Sequence, residues 1–171
     1  MNRTLVLSIV LLLAAFLMTG CGEKLPDGMP RLYPASVAIT QEGTPLAGAV
    51  VQLFPVNEAN AAWGPGGTTD ESGVVVLQTN GRYKGVPLGE YKVTVTKNER
   101  EPHPNPELRD GAEPEVRRYI AISQTLKTYS FVESEYGLLT QTPLRLEITA
   151  GERNYTIDAG KIIKEETRTM Q

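Results

Sequence analysis

The 171-residue chain has one cysteine, one histidine and one tryptophan, and each scarcity excludes something. A single thiol cannot close an internal disulfide, so no disulfide framework holds the fold. The only histidine, His103, sits in Pro102-His103-Pro104-Asn105-Pro106. A catalytic zinc wants about three protein ligands, and a Ser-His-Asp triad would have to rest on that one loop position. His103 therefore reads as a solvated loop residue, and neither a metal nor a cofactor is expected. Charge excludes as well. Seventeen Lys and Arg stand against twenty Asp and Glu, a formal net charge of -3, with no basic cluster to meet a phosphate backbone. Nucleic acid is not an expected partner.

What is present begins with an apolar run. Arg3 supplies a positive start, residues 4–17 are almost wholly apolar, and the small residues Thr19 and Gly20 precede Cys21. At 1.5 Å per residue the run covers about 21 Å, short of the roughly 30 Å hydrocarbon core. Extended through Gly22 it would nearly span, so an uncleaved transmembrane helix is the competing reading. The run Met18-Thr19-Gly20-Cys21 resembles the lipobox of bacterial lipoproteins, with Met18 where leucine is usual. That resemblance implies a signal peptide over 1–20 and lipid, palmitate among it, on Cys21. Several buried acyl chains, each methylene contributing about 0.8 kcal/mol, anchor a protein durably. The expected location is the cell envelope. Gly22 lacks the aspartate associated with inner-membrane retention, which favours the outer membrane.

Beyond the cysteine, residues 21–35, with Pro26, Gly28, Pro30 and Pro34, read as an irregular tether. Period-2 patterns follow. Val37 and Ile39 form one inward set, and Ala49, Val51 and Leu53 another, with Glu42-Gly43 and Pro45 between them predicting a hairpin-like pair. Asn57 to Gly67, containing Trp63-Gly64-Pro65-Gly66-Gly67, reads as loop, and Thr69-Asp70-Glu71-Ser72-Gly73 as a turn. A short buried strand is expected from Val74 to Gln78. The clearest strand alternates Tyr91, Val93 and Val95 against Lys92, Thr94 and Thr96. Residues 98–130 form a proline-rich loop or short-helix excursion after the fourth strand, with Glu115 to Leu126 the candidate helix. Alternation resumes at Leu144, Leu146, Ile148 and at Tyr155, Ile157, and residues 164–171 read as a polar tail that frays. Such patterning predicts an all-β fold, an antiparallel Greek-key β-sandwich of six or seven strands over 36–163. Gaps such as 41–48 and 150–153 are too short for the helical crossovers of a parallel sheet.

The stretches Ile39-Thr40-Gln41-Glu42-Gly43-Thr44-Pro45-Leu46, Gly48-Ala49-Val50-Val51-Gln52-Leu53-Phe54-Pro55, Thr69-Asp70-Glu71-Ser72-Gly73 and Gly89-Glu90-Tyr91-Lys92-Val93-Thr94-Val95 resemble the carboxypeptidase regulatory-like domain. Glu135-Tyr136, Thr142-Pro143-Leu144 and Asn154-Tyr155 are similar to the C-terminal half of short bacterial lipoproteins built on it. The resemblance covers 36 to about 160 and implies a transthyretin-like (prealbumin-type) sandwich at a surface location, not a catalytic activity. Transthyretin-like hydrolases of a urate breakdown product carry several histidines and a Tyr-Arg-Gly-Ser ending, whereas this chain ends Thr169-Met170-Gln171.

Few side chains then remain as candidates. Trp63 could be a platform for a sugar or partner side chain, or a lid over the open end of the sandwich. Tyr119 and Tyr129 carry the same ambiguity. Asp70 reads as a turn cap, with calcium held beside Glu71 the weaker alternative, since no EF-hand spacing supports it. Glu133 with Glu135 and Glu165 with Glu166 read as surface charge. The sequence thus describes a non-catalytic, lipid-anchored sandwich that serves envelope structure or protein interaction. The alternative is a carbohydrate- or peptide-binding module using the loop around Trp63.

Overall fold

The computed structural model describes residues 25–101, 113–115 and 127–167, so Cys21, His103, Tyr119 and the candidate helix from 116 onward lie outside the described residues. Two sheets pack face to face. The first is built on β1 (Ser36–Gln41), which pairs antiparallel with β2 (Thr44–Pro45) and β5 (Val74–Val76) on one side and parallel with β12 (Asn154–Asp158) on the other. The second runs β11 (Arg145–Ile148), β8 (Gly89–Thr96), β3 (Val50–Pro55), β4 (Pro65–Thr68), β6 (Gln78–Thr79), β7 (Tyr83–Lys84), antiparallel throughout. The path is a Greek key. Strands β3 and β4 form a hairpin, β5 joins the first sheet, β6 returns beside β4 and is followed by β7, and β8 then crosses to the other side of β3.

The alternation read from sequence builds the core. Val37, Ile39, Val75, Tyr155 and Ile157 from one sheet meet Val51, Leu53, Tyr91, Val93, Val95, Leu146 and Ile148 from the other. All are buried, Val37, Ile39, Val51, Tyr91, Val93 and Val95 completely. One face of each sheet is removed from water while most of the polar set stays outside; Thr94 on β8 is buried. The buried polar groups are tied to backbone. The Tyr91 hydroxyl donates to the Pro87 carbonyl at 2.7 Å, and the Thr142 hydroxyl to that of Val93 at 2.6 Å. Thr69 Oγ1 donates to the Leu46 carbonyl and accepts from the Ala49 N–H, closing the crossover between β2 and β3.

Several pairings differ from those expected of the sequence. The segments at 36–41 and 50–55 do not form a hairpin with each other. The Glu42-Gly43 turn, with φ of 49° and 80°, returns only the two residues of β2, and the chain then passes to the opposite sheet. Positive φ at both positions is the primed-turn geometry that matches strand twist. Pro65–Thr68 is a strand although it lies in a stretch read as loop. Its proline is the first residue, where no ladder donor is needed, and a Cβ on Gly67 would come within 2.7 Å of Val75 Cγ2. The glycines there permit close approach of the two sheets, where their local pattern predicts loop. Val74 to Gln78 splits at Leu77: β5 belongs to one sheet and β6 to the other. The parallel β1–β12 pair joins the first and last sandwich strands, whose connection is the whole intervening chain, so no helical crossover is required.

A third, small sheet is built from two strands that fall between β8 and β11 in sequence, β9 (Asn98–Arg100) and β10 (Thr128–Ser130), and from β13 (Glu165–Thr167) after β12, with β10 central. It makes thirteen strand segments among the described residues, ten of them in the two packed sheets, where β2, β6 and β7 are two-residue pieces beside seven longer strands. The excursion therefore starts and ends in a paired ribbon, closed by the Glu101 N–H to the Lys127 carbonyl at 2.8 Å. The polar tail does not fray before Thr167. It pairs with β10, and Lys127 bridges Glu166 at 3.0 Å. At the other terminus Tyr33 exchanges two backbone hydrogen bonds with Val86, and Ala35 is buried, so ordered packing begins inside the segment read as tether. The short helix α1 (Ser134–Gly137) packs against β8, where a Cβ on Gly137 would lie 3.0 Å from Thr96 Cγ2.

Candidate functional site

Asp70 is built into its own turn. Its Oδ1 accepts from the Ser72 hydroxyl at 2.7 Å, the Ser72 N–H at 2.9 Å and the Val74 N–H at 3.0 Å. The Ser72 hydroxyl, followed by the Val74 N–H, holds the carboxyl below the usual aspartate range. These are the bonds of an Asx turn, and they fold the Asp70 carboxylate back onto its own backbone while the residue stays exposed. Gly73 closes the turn at φ 77°, wedged where a Cβ would meet the Ile39 carbonyl oxygen and the Leu46 nitrogen at 2.9 Å. No group of three or more His, Cys, Asp or Glu able to hold a metal ion occurs among the described residues.

Trp63 follows a single 3-10 turn, Glu58–Asn60, capped by the Asn57 side chain onto the Ala59 N–H, and its own N–H donates to the Asn60 carbonyl. The indole is half-buried and is not among the side chains packed on the core. Trp63 precedes β4 by two residues and Asp70 follows it by two. At about 3.3 Å per residue the two candidates stand roughly 20 Å apart, at opposite ends of the strand. They do not form one site.

A concave surface does exist near the Trp63 loop. An open groove of about 560 Å³ runs over the outer face of β3 and β4, lined among others by Val50, Gln52, Phe54, Ala61, Gln78 and Asn80 over a floor of Gly64, Gly66 and Gly67. No charged side chain lines it, in a chain that is 22% charged. The Asn80 amide donates to the Ala62 carbonyl at 3.3 Å, fixing the groove to the loop. The sequence held one sign of this surface. Along β3 the outward set is Val50, Gln52, Phe54, so two of three solvent-side positions are apolar, and Val50 is 44% exposed. The alternation was read for its inner face only.

A second cluster lies on the third sheet and includes Tyr129, an aromatic candidate of the sequence, together with Phe131, Lys97 and Lys164, which the sequence did not single out. The Lys164 ammonium sits 4.6 Å from the Tyr129 ring centroid and 6.0 Å from that of Phe131, and the Lys97 ammonium 5.1 Å from Phe131. Cations over ring faces are attracted by the ring quadrupole. Near it, Tyr136 has its hydroxyl pushed above the ordinary tyrosine range by burial and then by Glu135, Glu133 and Asp158. Glu133 Oε2 accepts from the Lys161 N–H at 3.5 Å. This places Glu133 in a structural role that its spacing from Glu135 did not announce.

No family model, curated protein or solved structure matches the chain. Among the described residues no helix is long and apolar enough to cross a membrane.

Proposed function

We propose that the protein is a membrane-anchored lipoprotein, tethered through lipid on Cys21, whose β-sandwich serves envelope structure or protein interaction without catalysis. The observation that carries this reading is the position of Cys21: directly behind an apolar leader with a lipobox-like ending, and fifteen residues ahead of β1. The sandwich is compatible with the carboxypeptidase regulatory-like resemblance and suits a support role. Its polar interior is engaged with backbone, and Asp70, the carboxylate that the sequence offered for chemistry, is engaged by its own turn. The test is fractionation and intact-mass analysis of the full chain and of Cys21→Ser. Anchoring predicts a wild-type mass lacking residues 1–20 and carrying acyl groups, and release of the variant from the membrane fraction. An intact leader with an unmodified thiol refutes it.

A second reading is favoured by the uncharged groove beside the Trp63 loop: a module for a neutral carbohydrate or peptide. Gln52 and Gln78 make no side-chain hydrogen bond to other described residues, which leaves their amides for a ligand. Saturable change in tryptophan fluorescence on titration with sugars or peptides, abolished by Gln52→Ala, supports that reading, and silence sinks it.

A further inference from the structure

The two sheets end on the same flank of the sandwich, in consecutive strands. Strand β12 terminates the first sheet and β11 the second, and residues 149–153 join them. An edge strand presents a row of unpaired backbone groups, which soluble proteins blunt with proline, lysine, a bulge or a covering segment. Strand β12, Asn154-Tyr155-Thr156-Ile157-Asp158, has neither proline nor lysine and stays in continuous register with β1 over five residues. Among the described residues nothing pairs with its outer side.

The ladder fixes which groups are free. The Arg153 carbonyl accepts from the Ser36 N–H at 2.7 Å, and the Ala159 N–H donates to the Thr40 carbonyl at 2.7 Å. In a parallel ladder this alternation assigns the odd residues of β12 to β1. The backbone groups of Asn154, Thr156 and Asp158 therefore point outward from the sheet, and their exposed side chains stand on its solvent face.

We propose that this edge pairs with the same edge of a second copy of the chain, antiparallel and about a two-fold axis at Thr156. The register follows from the free groups. Centring on Thr156 sets Thr156 against itself and Asn154 against Asp158 twice, so all three outward residues of each copy are satisfied by about six backbone bonds. Centring on Tyr155 or Ile157 leaves one of the three unpaired. Centring on Asp158 opposes two carboxylates, which is destabilising. The Thr156 register instead gives each carboxylate an amide neighbour. On the inner face it sets Tyr155 beside Ile157 of the other copy, continuing the apolar row. The contact is isologous and closed, as a two-fold dimer requires.

The experiment uses the purified full chain in detergent, followed by sedimentation equilibrium over a wide concentration range. A reversible dimer is expected, and a chain that stays monomeric throughout overturns the proposal. Thr156→Cys places two thiols across the axis at a Cα separation of about 5.5 Å, within disulfide reach. Mild oxidation should cross-link it. Thr40→Cys, one strand further in and in register with Asp158, lies roughly 20 Å from its counterpart and should give no more cross-linking than the wild-type chain, which shares Cys21. Equal cross-linking of the two variants overturns the register. Thr156→Lys faces solvent and leaves the monomer ladder intact while opposing two ammonium groups across the axis. It should weaken dimerisation at least tenfold with an unchanged circular dichroism spectrum. Should that variant fold poorly, Thr156→Pro, which removes only an outward N–H, tests the same contact. Dimerisation unaffected by a folded variant, or a different protein found paired with β12, refutes the second copy as occupant.

Discussion

Gln41 is the residue on which the joint between the sandwich and the third sheet depends. It closes β1, is 3% exposed, and its Nε2 donates to two carbonyls from distant parts of the chain, Phe131 at 2.9 Å and Lys161 at 2.8 Å. One carbonyl follows β10 and the other precedes β13. Replacing the amide with the near-isosteric Gln41→Leu keeps the volume and removes both bonds. Each such bond contributes about 1 kcal/mol net, and the half-buried Phe131 carbonyl loses its partner without full access to water. The expected loss is about 2–3 kcal/mol. For a domain of this size that corresponds to a Tm lower by roughly 5–10 °C.

The assay is thermal unfolding together with amide hydrogen exchange. Exchange should rise first around 128–132 and 161–167, because the severed bonds pin those segments, and should change little in β3 and β8. Gln41→Glu sharpens the test. Above its unfolded pKa the introduced carboxylate faces two carbonyl oxygens without a proton to donate, so its folded pKa is raised. The stability it retains is fully present below the unfolded value of about 4.3 and is lost as pH rises through the raised folded value. The Gln41→Glu variant should be nearer to wild type in mild acid than at neutrality. A Tm for Gln41→Leu within about 1 °C of wild type, or exchange that rises uniformly, refutes the joint.

The remaining predictions concern turns and interior hydroxyls. Gly73→Ala combines a φ of 77° with contacts near 2.9 Å to the Ile39 and Leu46 backbones, and should cost about 2–4 kcal/mol by urea denaturation. Tyr91→Phe removes the donor to the Pro87 carbonyl and should cost about 1 kcal/mol. Burial pushes the Tyr91 hydroxyl up to about 12, so its contribution is complete below pH 10.0, is lost as pH rises toward 12, and should vanish from the alkaline stability profile of the variant. The lowered pKa of Asp70 acts at the other end: its contribution is present above the unfolded value of 3.8 and is lost as pH falls through the lowered folded value. Asp70→Asn should remove that acid-limb dependence, measured by denaturation from pH 5 downward.

Sheet content was legible in the sequence because period-2 alternation reports a buried face directly, and the inward sets at 37–39, 51–53, 91–95, 146–148 and 155–157 are the core of the structure. Pairing was not legible, because alternation says which face is buried but not which neighbour lies alongside. Glu42-Gly43 marks a true reversal, yet whether the returning strand runs two residues or six is decided by the crossover through Thr69 and Gly48. Glycine misled for a related reason. In Gly66-Gly67 the missing side chains make room for Gln52 and Val75, a long-range fact that no local window contains. Of the candidate site residues, Asp70 behaves as its turn chemistry announced. The groove went unread because its polar members, Gln52, Gln78 and Asn80, come from three separate stretches that only the sheet order of β3, β4 and β6 brings together.

The same topology fixes a polarity. Strand β1 begins where Tyr33 is bonded to Val86 and ends where Gln41 holds the segments around Phe131 and Lys161. Six residues at about 3.3 Å each separate those ends by roughly 20 Å, the full height of the sandwich. The N-terminal approach thus enters at one end and the ribbon that carries the excursion leaves from the other. The Trp63 loop belongs to the entry end, since its Asn60 amide reaches the Leu88 carbonyl next to Val86, whereas the Asp70 turn packs against β2 at the opposite end. Under the proposed anchoring, lipid on Cys21 would hold the Trp63 end toward the bilayer and present the excursion ribbon, clamped by β13, away from it. The open β12 flank is lateral in that orientation. Two anchored copies meet side by side with their tethers pointing the same way only where the two-fold axis through Thr156 stands along the membrane normal and the strands run nearly in the membrane plane. Strands standing along the normal would reverse one copy. Edge pairing and anchoring of both copies in one leaflet are therefore compatible only with a sandwich lying on its side, or with a tether long enough to turn back.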